Sequence, residues 1–276
     1  MKAPIVTRYD VTTEYPMPRP VTIAHVSDLH ERHSEDILAL VQSVKPDLIV
    51  VTGDTLERYD NRPQYDFEHK PVKRLIINAI HYTNYLLRKF EPKEKKARTA
   101  NAYAFMRGAK EIAPVIVSLG NHEQKLSDGD LAFYRGQGIT LLDNACTKVN
   151  IGGFEMTVGG MSSWDFEDFL AQFSRLGGYK LLLSHHPERF EPFIKDTDVD
   201  LTLSGHTHGG QILLSSKGMG FFVPGQGLFG RYAHGMFFGG RLIVSAGCSN
   251  TVAMPRIHNP RELAVITLRG KNHGNL

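Results

Sequence analysis

The sequence of 276 residues is poor in several features that mark common protein classes. It has two cysteines, Cys146 and Cys248, without CxxC spacing, so neither a redox pair nor a cysteine zinc site is expected. No apolar run approaches the roughly 20 residues needed to cross a bilayer. Residues 1–20 contain no apolar segment of the kind found in signal peptides. We therefore expect a cytoplasmic protein with reduced thiols.

Charge of one sign is not in large excess either. The formal net charge is +3, and charged residues make up 22% of the chain. No basic stripe with interleaved aromatic residues is visible, so binding to nucleic acid is not expected. A hydrophobic fraction of 41% is ordinary for a folded chain. The length is sufficient for one large domain or two small ones.

Apolar and β-branched runs predict a series of buried strands. The clearest lie at 21–28, 47–54, 113–121, 179–186 and 199–206. Between the first two, residues 34–46 have the pattern of a helix, with Ser34 as N-cap and Pro46 at the stop. Strand, helix and strand with short connections form a βαβ unit, which implies parallel strands. A segment at 6–12, followed by Pro16, Pro18 and Pro20, is typical of an edge strand.

Residues 55–113 interrupt this alternation. Apolar positions within 72–90 recur at helical spacing, and residues 99–113 predict a second helix. The charged run at 93–98 is best interpreted as the solvated turn between them, although a phosphate-binding patch is an alternative. The sequence therefore predicts a helical hairpin inserted between strands.

The five buried strands all end in side chains that can bind a metal. These are Asp28 and His30 in "SDLH", Asp54 in "GD", Asn121 and His122 in "GNHE", His185 and His186 in "SHHP", and His206 and His208 in "GHTH". In open α/β sheets, ligands bind at the carboxyl edge of the strands. One such ending could be a capping or turn residue, but five in succession are hard to explain by packing.

The chemistry of these side chains points in one direction. Imidazole, carboxylate and amide groups suit Zn, Fe, Mn and related ions, and sulfur is missing from the set. Mixed nitrogen and oxygen donors without thiolate are typical of hydrolytic metal sites rather than of structural zinc sites. A single carboxylate can bridge two cations about 3.5–4 Å apart, as in two-metal phosphoryl-transfer enzymes.

These motifs, in this order, resemble those of the calcineurin-like metallophosphoesterases. The pattern of that family is matched by "DLH" at 28–30, "GD" at 53–54, "GNHE" at 120–123, His185, and "GHTH" at 205–208. The resemblance extends from about residue 5 to about residue 268. It implies an α/β fold in which two mixed β-sheets face each other in a sandwich flanked by helices. We expect a single domain over 1–276 that includes the insertion at 55–113.

The resemblance also implies a site. One divalent ion would be held by Asp28, His30, Asp54 and His208, and a second by Asp54, Asn121, His185 and His206. The ions are Mn, Fe, Zn or similar, and Asp54 would bridge them. A metal-bridging hydroxide would attack phosphorus, while His122, without binding metal, would stabilise or protonate the leaving oxygen. We expect His186, which neighbours a proposed ligand, to lie behind the site or at the surface.

Within the family, "LSGHTHGGQ" at 203–211 is similar to the small bacterial phosphodiesterase branch, some members of which act on nucleotide-linked lipids. Serine/threonine protein phosphatases share "GNHE", and Arg58 falls where they carry an arginine. They also place an arginine before the "GNHE" glycine, where this chain has Leu119. A phosphodiester or pyrophosphate of a small molecule or nucleotide-linked lipid is therefore the expected substrate.

Two alternatives remain open from the sequence. One is a non-catalytic metal-binding module that docks a partner or a membrane through the helical insertion, and the other is a nuclease. The complete donor set and His122 favour an enzyme. Peripheral membrane contact is compatible with an apolar face on 72–90, and no obligate protein partner is inferred.

Overall fold

The computed structural model describes residues 3–59, 98–215, 218–250 and 256–271. Its strands are β1 (Ile5–Thr13), β2 (Val21–Val26), β3 (Leu48–Thr52), β4 (Val115–Ser118), β5 (Thr140–Leu142), β6 (Ala145–Ile151), β7 (Phe154–Met161), β8 (Tyr179–Ser184), β9 (Leu201–Ser204), β10 (Gly220–Val223), β11 (Gly227–Gly230), β12 (Gly235–Phe237), β13 (Leu242–Val244) and β14 (Glu262–Gly270). Its α-helices are α1 (Glu35–Val44), α2 (Thr99–Ile112), α3 (Asp128–Gly136) and α4 (Glu167–Ser174).

Two six-stranded mixed sheets form the body of the protein. The first has the order β1-β14-β2-β3-β4-β5 and the second the order β12-β13-β9-β8-β7-β6. Strands β2, β3, β4 and β5 run parallel, as do β7, β8 and β9. This confirms the predicted sandwich of two mixed sheets, and β1 lies at an edge as its prolines predicted.

The main core lies between the two sheets. Ile23 and Val50 of the first sheet belong to one buried cluster with Leu181 and Leu203 of the second. The opposite face of the first sheet is covered by helices, where Ile37 and Phe105 pack in a second cluster. Strands β3 and β4 are buried on both faces, which explains why their sequences are continuous apolar runs rather than alternating ones. Both layers hold the carboxyl ends of the parallel strands at one edge.

Helices α1 and α2 lie where the sequence predicted helices, but the predicted N-cap of α1 is not formed. Helix α1 begins directly after Ser34, but the Ser34 hydroxyl donates to the carbonyl of Arg32 instead of capping the helix. Helix α2 confirms the second helix of the insertion. The first, at 72–90, lies outside the described residues together with 93–97, so docking through it stays a prediction. None of the described helices is both long and apolar enough to cross a bilayer.

Candidate metal centre

The loops after β2, β3, β4, β8 and β9 meet at one edge of the sandwich. Donor atoms of Asp28, His30 and His208 all lie within 4.8 Å of one another, and the same holds for Asp54, His185 and His206. His122 joins them because its amide donates to Asp54 Oδ1 at 3.0 Å, and the buried Asn121 directly precedes it. The structure thus brings together seven of the eight residues assigned to the site, with Asn121 next to them in the chain.

The distances within the first group suit ligands that share an ion. Asp28 Oδ1 lies 3.8 Å from His30 Nε2 and 3.6 Å from His208 Nε2. Two donor atoms that are each about 2.1 Å from one cation lie roughly 3–3.4 Å apart. The group therefore needs only a small contraction to coordinate one ion.

Asp54 occupies the middle of the site. Its Oδ2 lies 3.2 Å from His185 Nε2, 3.5 Å from His30 Nε2 and 3.7 Å from His122 Nε2. The carboxylate is buried and touches both groups of donors. A carboxylate that contacts two groups of donors in this way has the position from which one side chain can reach two cations.

Several unsatisfied polar atoms point to ligands that would complete the site. The Nε2 atoms of His30 and His185 and both amide atoms of Asn121 are buried without a hydrogen-bond partner among the described residues. Leaving such a group unpaired costs about 1–3 kcal/mol. The histidine tautomers fit a metal too, because Nδ1 of His30 contacts Glu57 Oε1 at 2.7 Å and Nδ1 of His185 contacts the Thr52 carbonyl at 2.6 Å. Each Nδ1–H therefore donates outward, which leaves Nε2 as the inward electron donor.

The backbone is strained where these side chains are presented. Five of the eight residues have a left-handed φ, namely Asp28 (58°), His30 (48°), Asp54 (53°), His206 (70°) and His208 (48°). Such conformations cost of the order of 1 kcal/mol or more in non-glycine residues and cluster at functional sites. Close loop contacts hold them: a Cβ at Gly53 would lie 2.3 Å from the Gly120 amide nitrogen.

The electrostatics of the site favour positive charge. Burial lowers the pKa of His30, but the nearby carboxylates of Asp28 and Glu57 outweigh it and raise that pKa to about 10. Burial likewise disfavours the negative charge on the Asp54 carboxylate. The neighbouring histidines, His122 first, outweigh burial and hold the Asp54 pKa well below its usual value. An acidic, buried pocket of this kind stabilises cations.

Glu57 is a functional side chain that the sequence did not reveal. Its two oxygens contact His30 Nδ1 at 2.7 Å and His122 Nδ1 at 2.9 Å, and Tyr59 donates its hydroxyl hydrogen to the same carboxylate. Glu57 therefore orients a proposed metal ligand and the proposed acid together. Its only signal in the sequence is its place three residues after Asp54, which no general spacing rule singles out.

Glu123, the last residue of "GNHE", anchors the loops rather than facing the site. Its buried carboxylate accepts hydrogen bonds from the amides of Asp54 (2.9 Å), Thr55 (2.8 Å), Leu56 (3.0 Å) and Gly120 (2.7 Å). Burial is the main cause of its raised pKa, and the charge of Asp54 adds to it. The loops after β3 and β4 are thereby tied to each other.

We expect Glu123→Gln to destabilise the protein by about 1–3 kcal/mol, because its amide hydrogens would face amide donors that need an acceptor. Denaturant unfolding with a chelator present measures this free energy without any contribution from metal binding. Glu111→Gln on the exposed side of α2 is the matched control and should be neutral. Equal stability of the two variants would contradict the anchoring role of Glu123.

Arg58 is also structural. Its guanidinium binds Asp130 through two nitrogens, at 2.9 and 2.8 Å, and contacts Glu31 at 2.8 Å. These carboxylates neutralise its charge. Arg58, which falls where protein phosphatases carry an arginine, thus holds α3 against the loop that follows β3.

The sequence predicted that His186 lies either behind the site or at the surface. It lies behind the site. It is buried, its Nε2 lies 3.0 Å from the Ser163 hydroxyl and its Nδ1 lies 3.0 Å from Glu188 Oε1. The same Glu188 oxygen lies 4.0 Å from His206 Nε2. Glu188, which the sequence did not single out, therefore connects His186 to a proposed metal ligand.

Comparison with known proteins gives matches over the part of the chain that contains these motifs. A family model described as calcineurin-like phosphoesterase matches residues 21–210. The chain is 24% identical over 261 residues to the uncharacterized protein YpbG of Bacillus subtilis (strain 168), covering 91% of this chain and 82% of that protein. It is 24% identical over 294 residues to an uncharacterized metallophosphoesterase of Aquifex aeolicus (strain VF5), covering 97% and 93%. With phosphodiesterase YaeI of Escherichia coli (strain K12) it shares 30% identity over 135 residues, covering 44% and 48%.

Proposed function

Because the chain belongs to the calcineurin-like phosphoesterase family and is therefore a phosphoester hydrolase, we propose that it cleaves a phosphodiester or a pyrophosphate bond with two divalent ions. The observation that carries the proposal is the position of Asp54 Oδ2, 3.2–3.7 Å from three histidine nitrogens. A carboxylate so placed would be within reach of two cations.

The buried donors divide naturally between two ions. Asp28, His30, Asp54 and His208 would hold one, and Asp54, Asn121, His185 and His206 the other. Mn, Fe and Zn all suit such nitrogen and oxygen ligands, and manganese is our first choice for a test. When bound, the pair of ions would neutralise the phosphoryl oxygens and lower the pKa of a coordinated water so that it can attack phosphorus.

The protein itself has to supply a proton for the leaving oxygen, and His122 is placed to do so. Its imidazole is held by Glu57 at Nδ1, its Nε2 lies 3.7 Å from Asp54 Oδ2, and 20% of its side chain is exposed. A carboxylate at Nδ1 fixes the direction of the ring. We assign His122 the transfer of a proton from Nε2 to the departing alkoxide.

A diester or pyrophosphate is preferred to a phosphoprotein as substrate for two reasons. Arg58 is already neutralised by Asp130 and Glu31, so it is not free to hold a phosphate. The relative named phosphodiesterase YaeI points to the same class. Within that class we propose a small molecule or a nucleotide-linked lipid.

The proposal predicts that protein loaded with Mn²⁺ hydrolyses bis(p-nitrophenyl) phosphate faster than p-nitrophenyl phosphate. Removal of the ions with a chelator should abolish both activities, and added Mn²⁺ should restore them. Release of p-nitrophenolate is measured by absorbance, with Zn²⁺ and Fe²⁺ in parallel. Failure to turn over either compound with any of the ions would count against the proposal. Cleavage of DNA in a gel assay would favour the nuclease instead.

A further inference from the structure

A small sheet beside the candidate metal centre carries an entirely apolar outer face. Residues 211–214 lie between Ile257 on one side and strands β10 and β11 on the other. We define the apolar sheet face as the side chains of Ile212, Leu214, Met219, Phe221, Phe229 and Ile257. All except the half-buried Ile212 are exposed, and Phe229 is the most exposed at 57%.

Hydrogen bonds show that these side chains share one side of the sheet. The Leu214 amide donates to the Met219 carbonyl, and the Phe221 amide donates to the Ile212 carbonyl, each at 2.9 Å. Residues paired in this way project to the same side. The rings of Phe221 and Phe229 also meet edge to face, 5.8 Å apart. Both members of each pair are apolar, so no polar side chain lies between them on this face.

The opposite side of the small sheet is fixed to the body next to the proposed metal ligands. A Cβ at Gly220 would lie 2.8 Å from the Cα of Gly210 and 2.9 Å from the Ala233 side chain. Gly210 belongs to the helical turn His208–Gly210, which begins at a proposed metal ligand. The apolar sheet face therefore belongs to a sheet that packs directly against the turn carrying His208.

The charge of the surrounding chain identifies the chemistry of the partner. Residues 201–261, which include this sheet, contain no Asp or Glu but five basic residues. Of these, Arg256 hydrogen-bonds to the carbonyls of Ala246 and Ser249, and Arg261 pairs with Asp36. Arg231 follows β11 directly and is exposed. An apolar surface with an exposed arginine beside it and no carboxylate in its own segment suits an anionic lipid interface, where rings enter the acyl boundary and basic residues meet headgroups.

We propose that the apolar sheet face docks the protein on anionic membranes, with the metal centre held beside the lipid surface. Phe221 and Phe229 enter the acyl boundary, and Arg231 contacts the headgroups. This surface differs from the insertion at 72–90, and docking through it is independent of the bond that the enzyme cleaves. For a lipid-bearing substrate, it would shorten the path from bilayer to site.

Sedimentation of the full chain with vesicles tests the proposal. Vesicles of phosphatidylcholine and phosphatidylglycerol in equal amounts should bind the wild type, and vesicles of phosphatidylcholine alone should bind it more weakly. Loss of the two rings that would enter the acyl boundary, in Phe221→Ser/Phe229→Ser, should weaken binding by at least about tenfold. Arg231→Glu should weaken binding to the anionic vesicles by about fivefold or more, with little effect on the neutral ones.

Leu176→Ser/Phe193→Ser is the matched control, because these side chains are similarly exposed, at 40% and 44%, but lie outside the apolar sheet face. It should bind like the wild type. Thermal unfolding and hydrolysis of a soluble diester verify that the variants remain folded. Wild-type protein that stays in the supernatant would overturn the proposal, as would equal losses in both double variants. A double variant that loses self-association in analytical ultracentrifugation but keeps vesicle binding would also overturn it, because the face would then join two copies.

Discussion

Asp54→Ala is expected to lose both divalent ions and at least about 10³-fold in the rate of diester hydrolysis. The substitution removes the carboxylate that lies within 3.7 Å of the Nε2 atoms of His30, His122 and His185. It also removes the acceptor of the His122 amide hydrogen bond. Elemental analysis of the purified protein and a diesterase assay measure the two effects separately.

The control for this variant is Asp200→Ala. Asp200 is a half-buried carboxylate that accepts a hydrogen bond from the Lys180 amide near the start of β8, at the opposite edge of the sheet from the proposed metal ligands. Its variant should retain both ions even if it is less stable. Full metal content in Asp54→Ala would refute the bridging role, and loss of a single ion would show that Asp54 serves one cation only.

His122→Ala is expected to keep both ions and to lose roughly 10²–10⁴ in rate. The imidazole is assigned to the leaving oxygen, so its importance should grow with the basicity of the leaving group. The deficit should be large for an alkyl phosphodiester and smaller for bis(p-nitrophenyl) phosphate, because p-nitrophenolate leaves readily without a proton. Rates for the two substrates, with metal content measured in parallel, provide the comparison.

His33→Ala, which changes an exposed histidine paired with Glu35, should behave like the wild type. Equal deficits for both leaving groups would contradict proton donation by His122 and would favour a role in binding the phosphoryl group. Loss of metal in His122→Ala would instead make it a ligand, a role that its Nε2 distance of 3.7 Å from Asp54 Oδ2 also permits.

The sequence predicted the frame of the site because that frame depends on local patterns. Strands β3 and β4 are apolar up to their last residues, Thr52 and Ser118, which indicates burial on both faces and parallel neighbours. Parallel strands end at the same edge, and β3 and β4 are neighbours, so Asp54 and Asn121 follow adjacent strand ends. The β-sandwich was implied by the family resemblance and is confirmed by the two six-stranded sheets.

The supporting residues were not predictable in the same way. Glu57 lies on a loop, and its contacts with His30 and His122 depend on how two loops fold against each other. Glu188 approaches His206 from another loop, beside Gly225, where a Cβ would lie 2.2 Å from the Glu188 carboxylate. Neither residue has a periodic or motif signal. Their roles come from long-range packing that a single sequence does not encode in any local spacing.

The apolar sheet face was missed for a related reason. Its residues come from three short segments, 212–214, 219–229 and 257, and none of these is long enough to show a periodic pattern. Glycines at 218, 220, 225, 227 and 230 also interrupt any regular alternation of apolar side chains. Only the pairing of the segments places Phe221, Phe229 and Ile257 on one side.

Anomalous diffraction from crystals grown with Mn²⁺ tests most directly whether these side chains hold two cations. We expect two peaks about 3.5–4 Å apart on either side of the Asp54 carboxylate. One should lie between Asp28 and His208, and the other between Asn121 and His185. A single peak away from Asp54, for example between His186 and Glu188, or no peak at all in a folded protein, would contradict the two-metal site.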